Sequence, residues 1–435
     1  MLVLLTHANH LYSDRKQVRK MQPYPPLQTL IAAAALRQAD VEVAFFDATF
    51  DRDIDSALDR VRPDILAVCE DNFNFLTKMC LLQNRELACE MARAAIARGI
   101  PCLINSSDAT EHPNVYLEAG FSRVIRGELE TTLVAAIQQW PAGAAAQPAI
   151  ADLDQLPSPA WDLLDIEPYR RAWTEAHGYF SMNLVGSRGC PYRCNWCAKP
   201  LYGDSYRHYS ADRVAAEMER IKDQFHPDQL WFADDIFGLS AKWTREFASR
   251  VTARQAQIPF RMQSRCDLMT RDTVEALARA GCVEVWMGAE SGSQRILDAM
   301  EKGIHVEHIR QARENLRRHG IRACMFLQFG YLGEEWEDIE STIRLVRETK
   351  PDNIGVSVSY PMPNTRFHRI VNSQMVDISH WSDSGDLAKM FQGQLPSELY
   401  HALADALHLE VAQSASTRDL AHAWEKVENL RCACC

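Results

Sequence analysis

Short apolar runs recur along the chain, separated by longer stretches in which apolar positions return every three or four residues. In the first 140 residues the runs at 2–5, 41–46, 65–68 and 101–104 read as strands. Between them, 26–36, 54–61 and 84–97 read as helices, and Val124 and Ile125 precede a Gly127-Glu128 turn. Strands that alternate with helices predict a parallel, doubly wound α/β sheet over residues 1–140. Such sheets take ligands beyond the carboxyl ends of their strands.

A change of texture follows. Residues 141–178 hold AGAAAQP and DLDQLPSPAWD, in which Pro157 and Pro159 keep the backbone extended. The remainder of this stretch shows aromatic and acidic positions without a clear period and reads as a packed linker. From 179 to 365 the alternation returns. Strands are predicted at 179–186, 229–233, 259–263, 283–288, 323–329 and 354–360, with helices such as 211–224, 273–280, 306–319 and 336–348 between them. Six such units are too few for the usual eight-stranded barrel. Residues 366–435 form a helical region, with helices at 397–412 and 419–427, and end in RCACC.

Composition narrows the class. Of the 435 residues 47% are hydrophobic and 24% charged, as in ordinary globular chains. A net charge of −11 disfavours a general nucleic-acid or anionic-membrane binder. The opening MLVLLTHANH has too short an apolar run and too little positive charge for a signal peptide, and no apolar stretch approaches the roughly 20 residues of a spanning helix. The expectation is a cytoplasmic protein. Thirteen cysteines, an odd number, do not form a disulfide framework in such a chain. Cys69, Cys80, Cys89, Cys102, Cys282 and Cys324 stand singly among apolar neighbours, as core residues do. Cys266 lies inside MQSRCDLM. Two groups are clustered: the run GSRGCPYRCNWCAKP and the terminal RCACC.

The first group places Cys190, Cys194 and Cys197 at C-x3-C-x2-C spacing. Three thiolates on one short loop suit a [4Fe–4S] cluster, each sulfur reaching a different iron. A structural zinc site wants four ligands, and no fourth Cys or His lies nearby. One iron then stays open for a substrate or cofactor. The alternatives are a zinc loop or a chance grouping.

With Trp196 before the third cysteine, the loop resembles the signature of the radical S-adenosylmethionine (SAM) superfamily, C-x3-C-x-Φ-C with Φ aromatic. The resemblance implies a partial (β/α)6 barrel over residues 179–365. It also implies SAM chelated by the open iron, with Trp196 by its adenine. Further motifs follow predicted strands in the family's order. WFADDIFG puts Asp234 and Asp235 where the family keeps carboxylates beside the SAM amino group; helix capping is the alternative. MQSRCDLM puts Arg265 and Asp267 at a site-lining position or in a structural ion pair. VEVWMGAESGS puts Glu290 near the SAM ribose. Gly330, Gly333 and Glu334 match a G-x-x-G-E turn, and SVSYPMPNT matches Y-P-x-P-G-T, with Asn364 for Gly and with Tyr360 and Thr365 bordering the substrate.

In the first segment PYPPLQTLIAAAALR, AFFDAT and VIRGELETTL resemble the flavodoxin-like, cobalamin-binding domain that precedes many radical SAM cores. The D-x-H-x-x-G signature of cobalt-ligating domains is absent. Cobalamin therefore stays open as a cofactor beside a [4Fe–4S] cluster and SAM, and the alternative is a retained domain that only covers the barrel mouth.

The tail thiols Cys432, Cys434 and Cys435 suit a soft metal or metalloid, a second cluster or a redox relay, or are incidental. Together with the loop they resemble radical SAM enzymes of arsinothricin-type biosynthesis, which transfer the 3-amino-3-carboxypropyl group of SAM to trivalent arsenic. The expectation is an enzyme that reductively cleaves SAM and transfers a SAM-derived group to a small molecule, with trivalent arsenic as the leading acceptor. An electron donor such as flavodoxin or ferredoxin is its implied partner, with no nucleic acid or membrane. The alternatives are a cobalamin-dependent radical SAM methyltransferase acting on a small-molecule natural product, and a non-catalytic Fe–S electron carrier.

Overall fold

Strands buried on both faces need apolar side chains in both alternating sets, and the first sheet has them. In β1 (Leu2–Thr6) Val3 and Leu5 face one way and Leu4 the other; in β3 (Ile65–Cys69) Ile65, Ala67 and Cys69 oppose Leu66 and Val68. The structure, a computed structural model, describes residues 1–74, 82–142, 147–198, 202–376, 387–412 and 416–433. The chain divides into two compact units: residues 1–190, 199–234 and 254–258 form the first, and 191–198, 235–253 and 259–435 the second.

In the first unit, β2 (Glu42–Phe45), β4 (Cys102–Asn105) and β5 (Arg123–Val124) complete a five-stranded sheet of order β2-β1-β3-β4-β5. Every pair in it is parallel. Helices Leu27–Gln38 and Leu129–Gln138 cover one face, and Ile54–Val61 with Leu82–Ile96 the other. This is a flavodoxin-like order, in keeping with the doubly wound sheet expected there, with its switch point between β1 and β3. Each fully buried leucine, such as Leu4 or Leu66, contributes about 1.5–3 kcal/mol of burial.

The stretch read as a packed linker holds a helix, Glu167–His177, closed by Gly178 in the left-handed region. Tyr169, Trp173 and His177 repeat every fourth residue along it. Trp173 is buried and its Nε1 donates to Pro23 O at 2.7 Å. The period is short, and the prolines before it hide it. The unit continues with the parallel pair β6 (Ser181–Leu184) and β9 (Gln229–Phe232), and with the antiparallel pair β7 (Ser187–Arg188) and β8 (Arg207–His208).

The second unit carries β10 (Phe260–Ser264), β11 (Cys282–Glu290), β12 (Arg322–Phe329) and β13 (Asn353–Val358), each paired in parallel with the next. Helices Ala241–Ala253, Arg271–Ala280, Val306–Arg318 and Trp336–Thr349 alternate with them. All six strands assigned to the core are therefore present, in βα order. The tail folds into helices Ser397–Val411 and Thr417–Cys432, which pack on each other. Among the described residues, no helix is long and apolar enough to cross a membrane.

Candidate active site

The loop that carries Cys194 and Cys197 is fixed by the residue between Cys194 and Trp196. Asn195 is buried, its backbone N–H donates to Met300 O at 3.1 Å, and its Nδ2 to Ala299 O at 2.8 Å. Its Oδ1 accepts from Tyr331 at 3.0 Å, and its backbone oxygen accepts from the Phe367 N–H at 2.9 Å. Four hydrogen bonds so arranged leave the flanking thiols little freedom. The three cysteines are half-buried. Among the described residues no three His, Cys, Asp or Glu side chains already form a ligating group. The fold thus supplies a held loop, not a closed cage.

Around this loop the second unit gathers charge. Glu290 ends β11 at a register shift, with a φ of +62°. A non-glycine residue there is strained, as functional positions often are. Its Oε1 accepts from Lys302 Nζ at 2.7 Å, and both side chains are buried. Lys302 lies 5.9 Å from the centroid of the Trp196 ring. Burial lowers the lysine's pKa, but the Glu290 carboxylate and the Cys194 sulfur outweigh it, so its charge is held more firmly than usual. Arg265 is also buried, grips Asp267 at 2.9 Å and 3.3 Å, and stacks 3.6 Å over the Tyr192 ring. It is therefore an ion-pair member, yet its Nη1 has no partner among the described residues, nor has the buried Nε1 of Trp196. Two free donors and two buried cations beside a sulfur-rich loop suit a ligand bearing a carboxylate and a planar base, as SAM does.

The other predicted residues differ in burial and in partners. Asp234 is buried at the base of the loop, where its two oxygens accept from the Gly186 N–H at 3.0 Å and from Ser187 Oγ at 2.5 Å. Asp235 is half-buried. Cys266 is buried with its thiol 3.7 Å from Gly288 O, and burial pushes its pKa up to about 12. Glu334 accepts from the Gly330 N–H at 2.5 Å, and loss of water raises its pKa to about 8. Asn364 has a φ of +64°, the conformation that suits Asn in place of Gly. Thr365 caps helix Arg366–Val371, and the Tyr360 hydroxyl accepts from the Leu387 N–H at 2.8 Å. Cys69, Cys89, Cys102, Cys282 and Cys324 are core residues; Cys80 lies outside the described residues. Cys432 is exposed at the end of the last helix, 3.7 Å from Glu428; Cys434 and Cys435 lie outside the described residues. Sequence reading passed over Lys302 and Asn195. A lysine just past a short helix looks like a solvent residue, and nothing marks an Asn between two motif positions as a clamp.

At the switch point of the first sheet the carboxyl ends are polar and buried: His7 after β1, Glu70, Asp71 and Asn72 after β3, and Asn105 ending β4. Both His7 nitrogens are engaged, Nε2 with Asp47 at 3.0 Å and Nδ1 with the Asn9 N–H at 3.3 Å. His7 thus offers no free lone pair to a metal. Gln28 Nε2 and Glu70 Oε2 have no partner among the described residues.

The model of the Radical SAM superfamily matches residues 184–346. An uncharacterized methyltransferase of Pyrococcus horikoshii is 28% identical over 236 residues, 54% of this chain and 50% of that protein. The chain thus spans half the length of that relative. The anaerobic magnesium-protoporphyrin IX monomethyl ester cyclase of Rubrivivax gelatinosus is 24% identical over 83% of this chain and 68% of the relative. Among solved structures, the cobalamin-dependent SAM radical enzyme OxsB, with aqua-cobalamin and SAM bound, has a TM-score of 0.72 at 17% identity, covering 99% of this chain and 71% of its own. The radical SAM methyltransferase TsrM from Kitasatospora setae, with cobalamin and a [4Fe–4S] cluster bound, has a TM-score of 0.67 at 20% identity, covering 86% and 74%. These two likenesses are of fold.

Proposed function

The chain carries a radical SAM domain, and from that premise we propose that it transfers a SAM-derived methyl group to a small molecule, with a corrinoid held by its first sheet. Cys190, Cys194 and Cys197 would hold a [4Fe–4S] cluster. When bound, the cluster supplies the electron that breaks a sulfonium C–S bond of SAM, and the corrinoid carries the methyl group. The chain's own residues bind and orient. Trp196 offers a ring and an N–H to the adenine, Glu290 accepts from ribose hydroxyls, and Lys302 orients Glu290 through their 2.7 Å contact. Arg265 offers its free Nη1 to a carboxylate. An electron donor such as flavodoxin or ferredoxin would reduce the cluster.

The observation that carries this reading is the clamped loop facing the Glu290–Lys302 pair, with Trp196 Nε1 and Arg265 Nη1 unengaged among the described residues. For the corrinoid, the support is the buried polar switch point, where Gln28 Nε2 and Glu70 Oε2 lack partners among the described residues and an amide-bearing ligand would provide them. Methyltransferases among the similar proteins point the same way.

A second reading is favoured by the exposed thiol of Cys432. With Cys434 and Cys435 it would present trivalent arsenic to a 3-amino-3-carboxypropyl group from SAM.

The experiment is anaerobic turnover with SAM and reductant, with and without hydroxocobalamin and arsenite, nucleosides read by mass spectrometry. S-adenosylhomocysteine that forms only with hydroxocobalamin supports methyl transfer. Methylthioadenosine that rises with arsenite and disappears in Cys434→Ser/Cys435→Ser supports the second reading. No SAM-derived product in any arm, from a chain whose reduced cluster gives an electron resonance signal unmoved by SAM, leaves an electron carrier.

A further inference from the structure

Two residues before Cys190 the chain buries an arginine completely. Arg188 is 0% exposed. In the β7–β8 pair it stands directly opposite Arg207, an arrangement that would repel on its own. Two carboxylates from the Gly127–Glu130 turn and its helix resolve it. Arg188 donates to Glu128 at 2.8 Å and to both oxygens of Glu130 at 2.7 Å and 3.1 Å, while Arg207 takes the other oxygen of Glu128. Two cations thus meet two anions, all largely out of water, as a buried charge cluster requires.

Aromatic faces complete the seat. The Arg188 guanidinium lies 5.4 Å from the Phe73 ring and 5.5 Å from that of Tyr202, and these two rings stack at 5.8 Å. Phe73 follows Asn72 in the loop after β3, at the switch point. Asn72 Nδ2 donates to Asn105 Oδ1 at 3.3 Å, to Gln28 Oε1 at 2.9 Å and to Glu70 O at 3.0 Å. Asn105 Nδ2 donates to Gly127 O at 3.3 Å and to Ile125 O at 3.0 Å, and Gly127 adjoins Glu128. Two buried routes, one through Phe73 and one through Asn105, therefore run from the switch point to Arg188. Beyond Arg188, a Cβ on Gly189 would stand 2.0 Å from Ser205 O, so the step to Cys190 has no slack either.

We propose that Arg188 is a positioning residue for the cluster loop, and that it ties the placing of Cys190 to the polar crevice of the first sheet. The inference rests on the cluster-and-SAM reading of the preceding section. Glu128 and Glu130 orient the guanidinium, the guanidinium fixes the backbone before Cys190, and whatever reorders Asn72 or Asn105 reaches the first thiolate.

The test uses the full chain, anaerobically reconstituted with iron and sulfide. SAM affinity is measured by titration, and the electron resonance spectrum of the reduced cluster is recorded with and without SAM beside the thermal midpoint. Arg188→Met alone strands the buried carboxylate of Glu130, so the deciding variant is R188M/E130Q, which removes that charge and leaves the Glu128–Arg207 pair intact. We expect it to bind SAM at least fivefold more weakly with an altered cluster spectrum, and Arg188→Lys to recover part of both. Asn105→Ala should weaken SAM binding about threefold in the natural background and have no further effect in R188M/E130Q, the non-additivity of a shared path. A lowered thermal midpoint with unchanged affinity and spectrum overturns the proposal, as does full additivity of the Asn105 effect. If R188M/E130Q does not fold, Asn105→Ala decides alone, and unchanged affinity and spectrum refute the relay. A natural chain that takes up a cluster but binds no SAM refutes the reading of the preceding section instead, and the spectra of the SAM-free cluster then decide the relay.

Discussion

A Cβ on Gly288 would stand 2.5 Å from Oε1 of Glu290, inside any real contact distance. It would also stand 2.6 Å from Lys302 Nζ. The glutamate and its lysine therefore fold over the glycine, and a side chain there would have to displace them. Gly288→Ala should push the pair off the strand and weaken SAM binding by about tenfold, which corresponds to about 1.4 kcal/mol. Titration of SAM into the reconstituted protein measures it, and unchanged affinity would place the pair outside the SAM site.

Because the pair is buried, its two halves are not equivalent to lose singly or together. Lys302→Met leaves Glu290 charged without its partner and should cost about 3–5 kcal/mol of stability. Lys302→Met/Glu290→Gln should cost clearly less, since no lone charge stays buried. Denaturant midpoints of the two singles and the double close the cycle; equal costs for single and double would mean that water reaches the pair.

How much of this was legible beforehand follows from what each residue's role depends on. The longer parallel strands of both units were readable because burial on two faces forces continuous apolar runs, whereas the two-residue strands β7 and β8 were too short to show a pattern; Asn364 was readable because few residues accept its backbone. The helix Glu167–His177 was passed over, its one stripe being Tyr169, Trp173 and His177 behind prolines. The cysteine loop announced itself by spacing. Its supports did not: Asn195, Lys302 and the Arg188 cluster act through partners about 60 to 170 positions away or across a strand end, and no local pattern encodes such a meeting. Asp234 illustrates the reverse case, since its position matched a motif while its oxygens hold Gly186 and Ser187.

Asn195 gives the most direct handle on the loop. Asn195→Ala removes the side-chain bonds to Ala299 O and from Tyr331, a loss of about 1–3 kcal/mol. The Tyr331 hydroxyl keeps its bond to Ala299 O at 2.8 Å, so the rest of the cluster of Met300, Tyr331 and Phe367 should stay folded. The expected result is a soluble protein that takes up less iron on reconstitution and whose loop is cut faster by protease. Full iron loading with natural protease resistance would show that the backbone bonds of Asn195 suffice.

The switch point should reveal itself through pH. Burial raises Glu70 from its ordinary 4.5 to about 7, against the opposing pull of His7 and the Ala8 N–H. The folded protein thus binds this proton more tightly than the unfolded chain does. The contribution to stability is complete below pH 4.5 and is lost progressively as pH rises toward 7, by on the order of 3 kcal/mol at most. Asp71, raised to about 6 by burial, adds a similar decline at its own position. Glu70→Gln keeps an acceptor for the Ala8 N–H and removes the titration. Its stability should therefore fall less between pH 5 and 7 than that of the natural chain, so that the variant is the more stable of the two at pH 8. Denaturant unfolding at a series of pH values compares the two slopes. Parallel slopes would mean that Glu70 is ionised in the folded chain throughout, with a cation or water at Oε2 that burial alone does not provide.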